Sequence, residues 1–128
     1  MKQPPRLSEA EWEVMKVVWQ RSPGPSSASE VIAALSRSTV WSAATVKTLL
    51  NRLLHKGALR HEKAGKAYLY FPACTEKACR GAATESFLQR VFDGSLSPLL
   101  AHFASSRRLS RAELDELESL LRKKKGTK

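Results

Sequence analysis

A chain of 128 residues with 42% apolar side chains has enough material for a core, which excludes wholesale disorder and fits one domain or two small ones. No run of about 18 apolar residues is present to span a bilayer, and the opening MKQPPRLSEA lacks the apolar centre of a secretory signal, so a cytoplasmic location without direct membrane binding is expected. The formal charge of +10 is uneven: residues 1–73 carry 11 Lys/Arg against 5 Asp/Glu, whereas residues 74–128 owe their surplus to the tail RKKKGTK. Between Ser42 and Lys66 stand six cations and a single acid, Glu62, which points to a polyanion, most often nucleic acid.

In chain order, Ser8-x-x-Glu11 opens a first helix over about Glu9–Gln20, which the SPGP segment stops. Its apolar stripe is Trp12, Met15, Val18 and Trp19. Ser27-x-x-Glu30 opens a short second helix, Ala28–Ser36, with Val31, Ile32 and Leu35 inward. Ser42 caps a third helix, closed by Gly57. The period then changes to two strands, Ala58–Glu62 and Lys66–Pro72, joined by Lys63-Ala64-Gly65 as a β-hairpin. From Thr75 the chain is helical again over roughly Glu76–Asp93, Pro98–Ser105 and Arg111–Lys124, the last opened by Ser110-x-x-Glu113 and the last two joined by SSRRLS. The fold expected is mainly α with a small β-hairpin: an N-terminal winged helix-turn-helix over residues 1–73 and three further helices over 74–128, ending in a basic tail.

The third helix explains the charge. Val46, Leu49, Leu50, Leu53 and Leu54 fall on one side; Ala44, Lys47, Thr48, Asn51, Arg52 and His55 fall on the other. The outer side has no acid, whereas a plain solvated face mixes both signs and gains from opposite-charge pairs. A helix about 10–12 Å across fits the major groove of B-DNA. There Asn51 can pair bidentately with adenine, Lys47 and Arg52 can reach phosphate or guanine, and Ala44 or the Thr48 methyl can meet a thymine methyl. Ser42 and Thr45, at the positive end of the helix, suit a phosphate. In the hairpin, Arg60, Lys63 and Lys66 are expected to follow the adjacent backbone or enter the minor groove.

The three C-terminal helices bury too little to stand comfortably alone, since domains below about 60 residues are marginal. Phe87, Val91, Phe92, Leu99, Leu100, Phe103, Leu114, Leu117 and Leu121 are therefore expected to close against a second copy of the chain.

LSEAEWEVMKVVW, VIAALS, TVWSAATVKTLLNRLLHKGALRHEKAGKAYLYFP, SFLQRVFDGSLSPLLAHF and LSRAELDELESLL together resemble the penicillinase-repressor family of transcriptional regulators, the BlaI/MecI-like group, from about Leu7 to Leu121. The resemblance implies a homodimeric winged-helix repressor on a palindromic TACA/TGTA-type DNA operator, often of a β-lactamase or antibiotic-resistance operon, with residues 75–124 as its dimerisation domain. It also implies a membrane sensor-protease system as partner and induction by cleavage of an Asn–Phe bond. The matching pair here is His102–Phe103, in which Phe103 keeps the pattern and His102 departs from it. The paired C-x-C motifs of a copper-responsive branch do not occur, and the chain ends in KKKGTK.

Other features have plainer readings. Trp12 and Trp19 belong to one apolar stripe, and Trp41 is expected to plug the gap between helices and hairpin. Tyr68 and Tyr70 alternate with Leu69 and Phe71, so one pair should face the core and the other stay partly exposed. Cys74 and Cys79, spaced C-x₄-C without a second pair, are expected as reduced packing residues, one beneath the linker and one on the fourth helix, with a thiol or small-ligand signal in place of proteolysis left as an open alternative; no metal and no other cofactor is expected. His55, His61 and His102 have no matching nucleophile or carboxylate pair, so the chain does not read as an enzyme. The competing reading is a winged-helix protein-interaction adaptor with no specific DNA site.

Overall fold

A computed structural model describes residues 3–106 and 109–126 of the chain. Arg107 and Arg108 of the expected SSRRLS connection, and the last two residues of the basic tail, lie outside the described residues. The elements in order are α1 (Glu9–Arg21), β1 (Ser26–Ser27), α2 (Ala28–Leu35), α3 (Ala43–Lys56), β2 (Leu59–Ala64), β3 (Ala67–Pro72), α4 (Glu76–Phe92), α5 (Leu96–Ser105) and α6 (Arg111–Gly126). They form a mainly helical fold with a small antiparallel sheet. The chain divides into two compact units, Met1–Ala83 and Thr84–Lys128.

Local chemistry sets the helix starts. Ser8 and Glu11, Ser27 and Glu30, and Ser110 and Glu113 each exchange side-chain and backbone hydrogen bonds across the first turn. Ser42 Oγ accepts from Thr45 N at 3.2 Å and Thr75 Oγ1 from Ala78 N at 3.1 Å. These oxygens satisfy amides that have no partner inside their helices. Gly57 ends α3 in the left-handed region, φ 82°, which is strained for any residue with a Cβ. Helix α5 begins at Leu96, two residues before the expected Pro98, because a proline in the first turn loses no helical hydrogen bond.

The first unit is a winged helix. Val14, Met15 and Val18 of α1, Val31 and Leu35 of α2, and Val46, Leu49, Leu50 and Leu53 of α3 meet Ala58, Leu59 and Tyr70 in one core. The sheet has three strands in the order β1-β3-β2, not the two expected. β1 is only Ser26–Ser27, paired with Tyr70 and Leu69, and two serines carry no strand pattern in sequence. The hairpin turn is shorter than expected. Lys63 and Ala64 extend β2, Ala64 pairs with Ala67, and the turn is Gly65–Lys66 with φ 66° at Gly65, as the mirror-image two-residue turns of twisted hairpins require.

The α1 stripe also differs from the expected one. It runs through Glu11, Val14, Met15 and Val18, with Trp19 half-buried against the core and Trp12 outside the core, its ring 5.7 Å from that of Trp19. Glu11, only 1% exposed, occupies the place that hydropathy assigned to an apolar residue. Its carboxylate caps Ser8 and also accepts from Lys56 Nζ at 2.5 Å, while the same ammonium donates to Arg6 O at 2.8 Å. Burial alone would raise this carboxyl; the hydrogen bonds to Lys56 and Ser8 and the Lys56 charge outweigh it and hold the group below the usual glutamate range. The last turn of α3 is thereby tied to the first turn of α1. Trp41 packs against the core margin beside α3.

In the second unit no side chain of α5 or α6 is buried. Phe87, Val91, Leu96, Leu100, Phe103, Leu114, Leu120 and Leu121 are between 37% and 56% exposed, and Phe92, Leu99 and Leu117 are half-buried.

Candidate nucleic-acid interface

Helix α3 owes its position to its inner stripe. Val46, Leu49, Leu50 and Leu53 are buried, which fixes the rotation of the helix and turns Ala44, Lys47, Thr48, Asn51, Arg52 and His55 to solvent. No acid lies on α3, so the exposed face is cationic and amide-bearing along its length. The Thr48 hydroxyl donates back to Ala44 O at 3.0 Å, an internal bond that leaves the methyl as the free part of that side chain. Ser42 Oγ and Thr45 Oγ1 lie 3.1 Å apart, so one hydroxyl donates to the other and one hydrogen of the two remains for an outside acceptor. His55 Nδ1 is 2.9 Å from Asn51 O.

The hairpin divides its cations. Successive strand residues point to opposite faces, and the register pairs Arg60 with Phe71, His61 with Tyr70 and Lys63 with Tyr68. His61, Lys63, Tyr68 and Tyr70 therefore share one face, and a cleft of about 390 Å³ between that face and α3 is lined by Asn51, Leu54, His55, His61, Tyr68 and Tyr70. Arg60 lies on the opposite face: its guanidinium sits 4.4 Å over the Phe71 ring and 3.2 Å from Glu62. Lys66, in the turn, joins Lys47 and Asn51 around a second cleft of about 350 Å³ that also takes in Ser27 and Ser29 at the start of α2. β1 brings those two serines beside the wing. With β1 absent from the sequence reading, Ser27 entered it only as the cap of α2 and Ser29 not at all, and His61 was weighed only as a catalytic group.

The aromatic residues of β3 do not split into an inner and an outer pair as expected. Tyr70 is buried and its phenol held above its ordinary pKa, first by burial and then by Tyr68, while Tyr68, nearer the tip and with no core beneath it, is 45% exposed. Cys74 packs against the core and Cys79 is buried; the two sulfurs face each other instead of occupying separate places. His102 and Phe103 are exposed on α5, ring centroids 5.6 Å apart. Among the described residues, no cluster of three or more His, Cys, Asp or Glu is placed to hold a metal, and no helix is long and apolar enough to cross a membrane.

Residues 7–123 match the penicillinase repressor family. The chain belongs to that family. It is 39% identical over 128 residues to the penicillinase repressor of Bacillus licheniformis, covering all of this chain and 98% of that one. It is 31% identical over 118 residues to the methicillin resistance regulatory protein MecI of Mammaliicoccus sciuri, covering 92% of this chain and 94% of that one. Among solved structures, the DNA-binding domain of the repressor BlaI superimposes with a TM-score of 0.54 at 45% identity, over 61% of this chain and 93% of that one. The monomeric form of Bacillus licheniformis BlaI in complex with the blaP half-operator does so with a TM-score of 0.52 at the same identity and coverage. The winged helix of this family member is thus the fold seen in a repressor bound to half of its operator.

Proposed function

We propose that this member of the penicillinase repressor family is a homodimeric, sequence-specific repressor that places α3 in the major groove of a palindromic operator controlling a resistance operon. The observation that carries the reading is the exposed, acid-free face of α3, fixed outward by four buried apolar residues. Within it Asn51 and Arg52 are the base readers, Ala44 and the Thr48 methyl pack on thymine, and Lys47 works with Lys66 on the phosphates that the cleft beside α2 admits. Ser42 and Thr45 give one hydroxyl hydrogen to a phosphate. Lys63 follows the backbone from the wing. Arg60, engaged by Phe71 and Glu62 on the far face, buttresses the hairpin instead of leading the contact. The names of the relatives, repressors of penicillinase and methicillin resistance, support the target class.

Dimerisation falls to the second unit. Three helices with eight large apolar side chains exposed and no interior of their own satisfy those side chains by closing against a second copy. Relief of repression by a sensor protease would act at His102–Phe103. That bond lies inside α5, where His102 O accepts from Ser106 N and Ser105 Oγ, so cutting requires the last turn of α5 to unwind first.

The experiment compares variants on operator and random duplexes. Arg52→Ala and Asn51→Ala should each cost about 1–3 kcal/mol on the operator and much less on random DNA, whereas Lys63→Ala should weaken both equally and lower the salt slope by roughly one. Equal losses on both duplexes for all three variants would remove the base-reading role from α3.

A further inference from the structure

The chain has two cysteines, and the repressor reading uses neither. Their sulfurs lie 2.7 Å apart, with one thiol donating to the other. The local geometry explains why. Thr75 caps α4, so Cys74 is the residue just before the cap and Cys79 the fourth residue of the helix. Side chains at these two places commonly pack together and set the angle at which a chain enters its helix. Here both are thiols.

The two sulfurs are anchored to different elements. Cys74 is held by the winged helix: its carbonyl accepts from the Trp19 indole at 3.0 Å, its neighbour Ala73 N donates to Ala58 O at 2.8 Å, and its sulfur lies 3.9 Å from the same oxygen. Cys79 is held by the first turn of α4, its amide donating to Thr75 O at 3.0 Å. Accessibility also separates them, since Cys74 is half-buried whereas Cys79 is 2% exposed.

We propose that Cys74 and Cys79 form a reversible dithiol–disulfide site, oxidised by low-molecular-weight disulfides, that makes the contact between the winged helix and the start of α4 covalent. The order of events follows from the asymmetry. Burial, then the neighbouring Cys74, pushes the Cys79 thiol up to about 12, so Cys79 stays protonated at neutral pH and the first attack belongs to Cys74. The Cys74 thiolate attacks one sulfur of the small disulfide, forming a mixed disulfide and releasing one small thiolate. Cys79 then gives up its proton to solvent and attacks the Cys74 sulfur, and the second small thiolate leaves. Two electrons and two protons pass from the pair of cysteines to one small disulfide, which departs as two thiols. Because the sulfurs are already in contact, closing the bond needs only a short further approach of the two. A pair of this kind in a reducing compartment is a reversible sensor rather than a permanent staple.

The test uses the full chain and oxidised glutathione as probe. Titratable thiols should fall from two to none, the chain should become lighter by two hydrogen atoms, and it should stay a single chain on a non-reducing gel. Dithiothreitol should restore both thiols, and the oxidised protein should unfold at a higher temperature than the reduced one. Cys79→Ala should stop at a glutathione adduct on Cys74. Should that variant not fold, Cys74→Ser, changed at the half-buried position, should keep its Cys79 thiol unmodified. The proposal is overturned if the native chain retains its glutathione adduct, keeps both thiols, links to a second chain, or unfolds at a lower temperature once oxidised. None of these readouts involves DNA, so their failure leaves the repressor reading untouched.

Discussion

The two units spend their apolar residues differently. In the first, leucines and valines from three helices and a hairpin converge, and every buried side chain among the described residues belongs to that unit. In the second, α5 and α6 are amphipathic too, though less sharply than α3, and Phe103, Leu114 and Leu120 stay exposed. The same kind of stripe therefore has two meanings. Where it meets other stripes of its own unit it builds a core; where it does not, its apolar side chains stay exposed. Four buried residues fix the rotation of α3 and leave its opposite face to solvent, whereas α5 and α6 bury no side chain.

That contrast can be broken from either side. The largest effect is expected in the second unit. Phe87→Asp or Leu117→Asp puts a charge into the proposed dimer contact and should convert the protein to monomers while leaving the winged helix folded. Sedimentation equilibrium reads this directly, and an intact dimer in both variants would place the interface elsewhere. Next in size is Leu50→Ala in the first unit, which removes a fully buried side chain and should cost roughly 2–5 kcal/mol. In urea titrations that loss should not depend on protein concentration, whereas stability contributed by the second unit should grow with concentration, as for any folding coupled to association.

The smallest effect is electrostatic and confined to the first unit. Glu11 has a lowered pKa in the folded protein, so the stability it contributes is complete above its unfolded value of 4.5 and drains away as the pH falls through the folded value. Unfolding followed from neutral pH into that acid range should show a decline that Glu11→Gln flattens. Lys56→Met, which removes the partner and leaves the carboxylate in place, should cost about 1–3 kcal/mol at neutral pH.

Much of this was legible in the residues because it depends on near neighbours. The five helix caps at Ser8, Ser27, Ser42, Thr75 and Ser110 need only the amides three residues on. The outward face of α3 needs only its period and its lack of acids. What escaped depends on partners distant in sequence. Glu11 is buried because Lys56, 45 residues later, meets it. β1 exists because β3 pairs with two serines that have no strand character of their own. Arg60 turns away from the Lys63 face because the hairpin register sets it over Phe71. The cysteine contact is different: the spacing around the Thr75 cap carries it, whereas the sequence reading left a thiol switch open but put the two sulfurs in separate places.

In the function proposed here, the acid-free face of α3 reads a specific DNA sequence as part of a dimer. The most direct measurement is a binding titration at about 150 mM salt that compares a duplex from the protein's own promoter with a scrambled duplex of equal length. A preference of roughly 10³-fold or more is expected, with two protomers on each specific site. Equal affinity for both duplexes, falling steeply with added salt, would contradict it, leaving a basic surface that holds DNA without reading it.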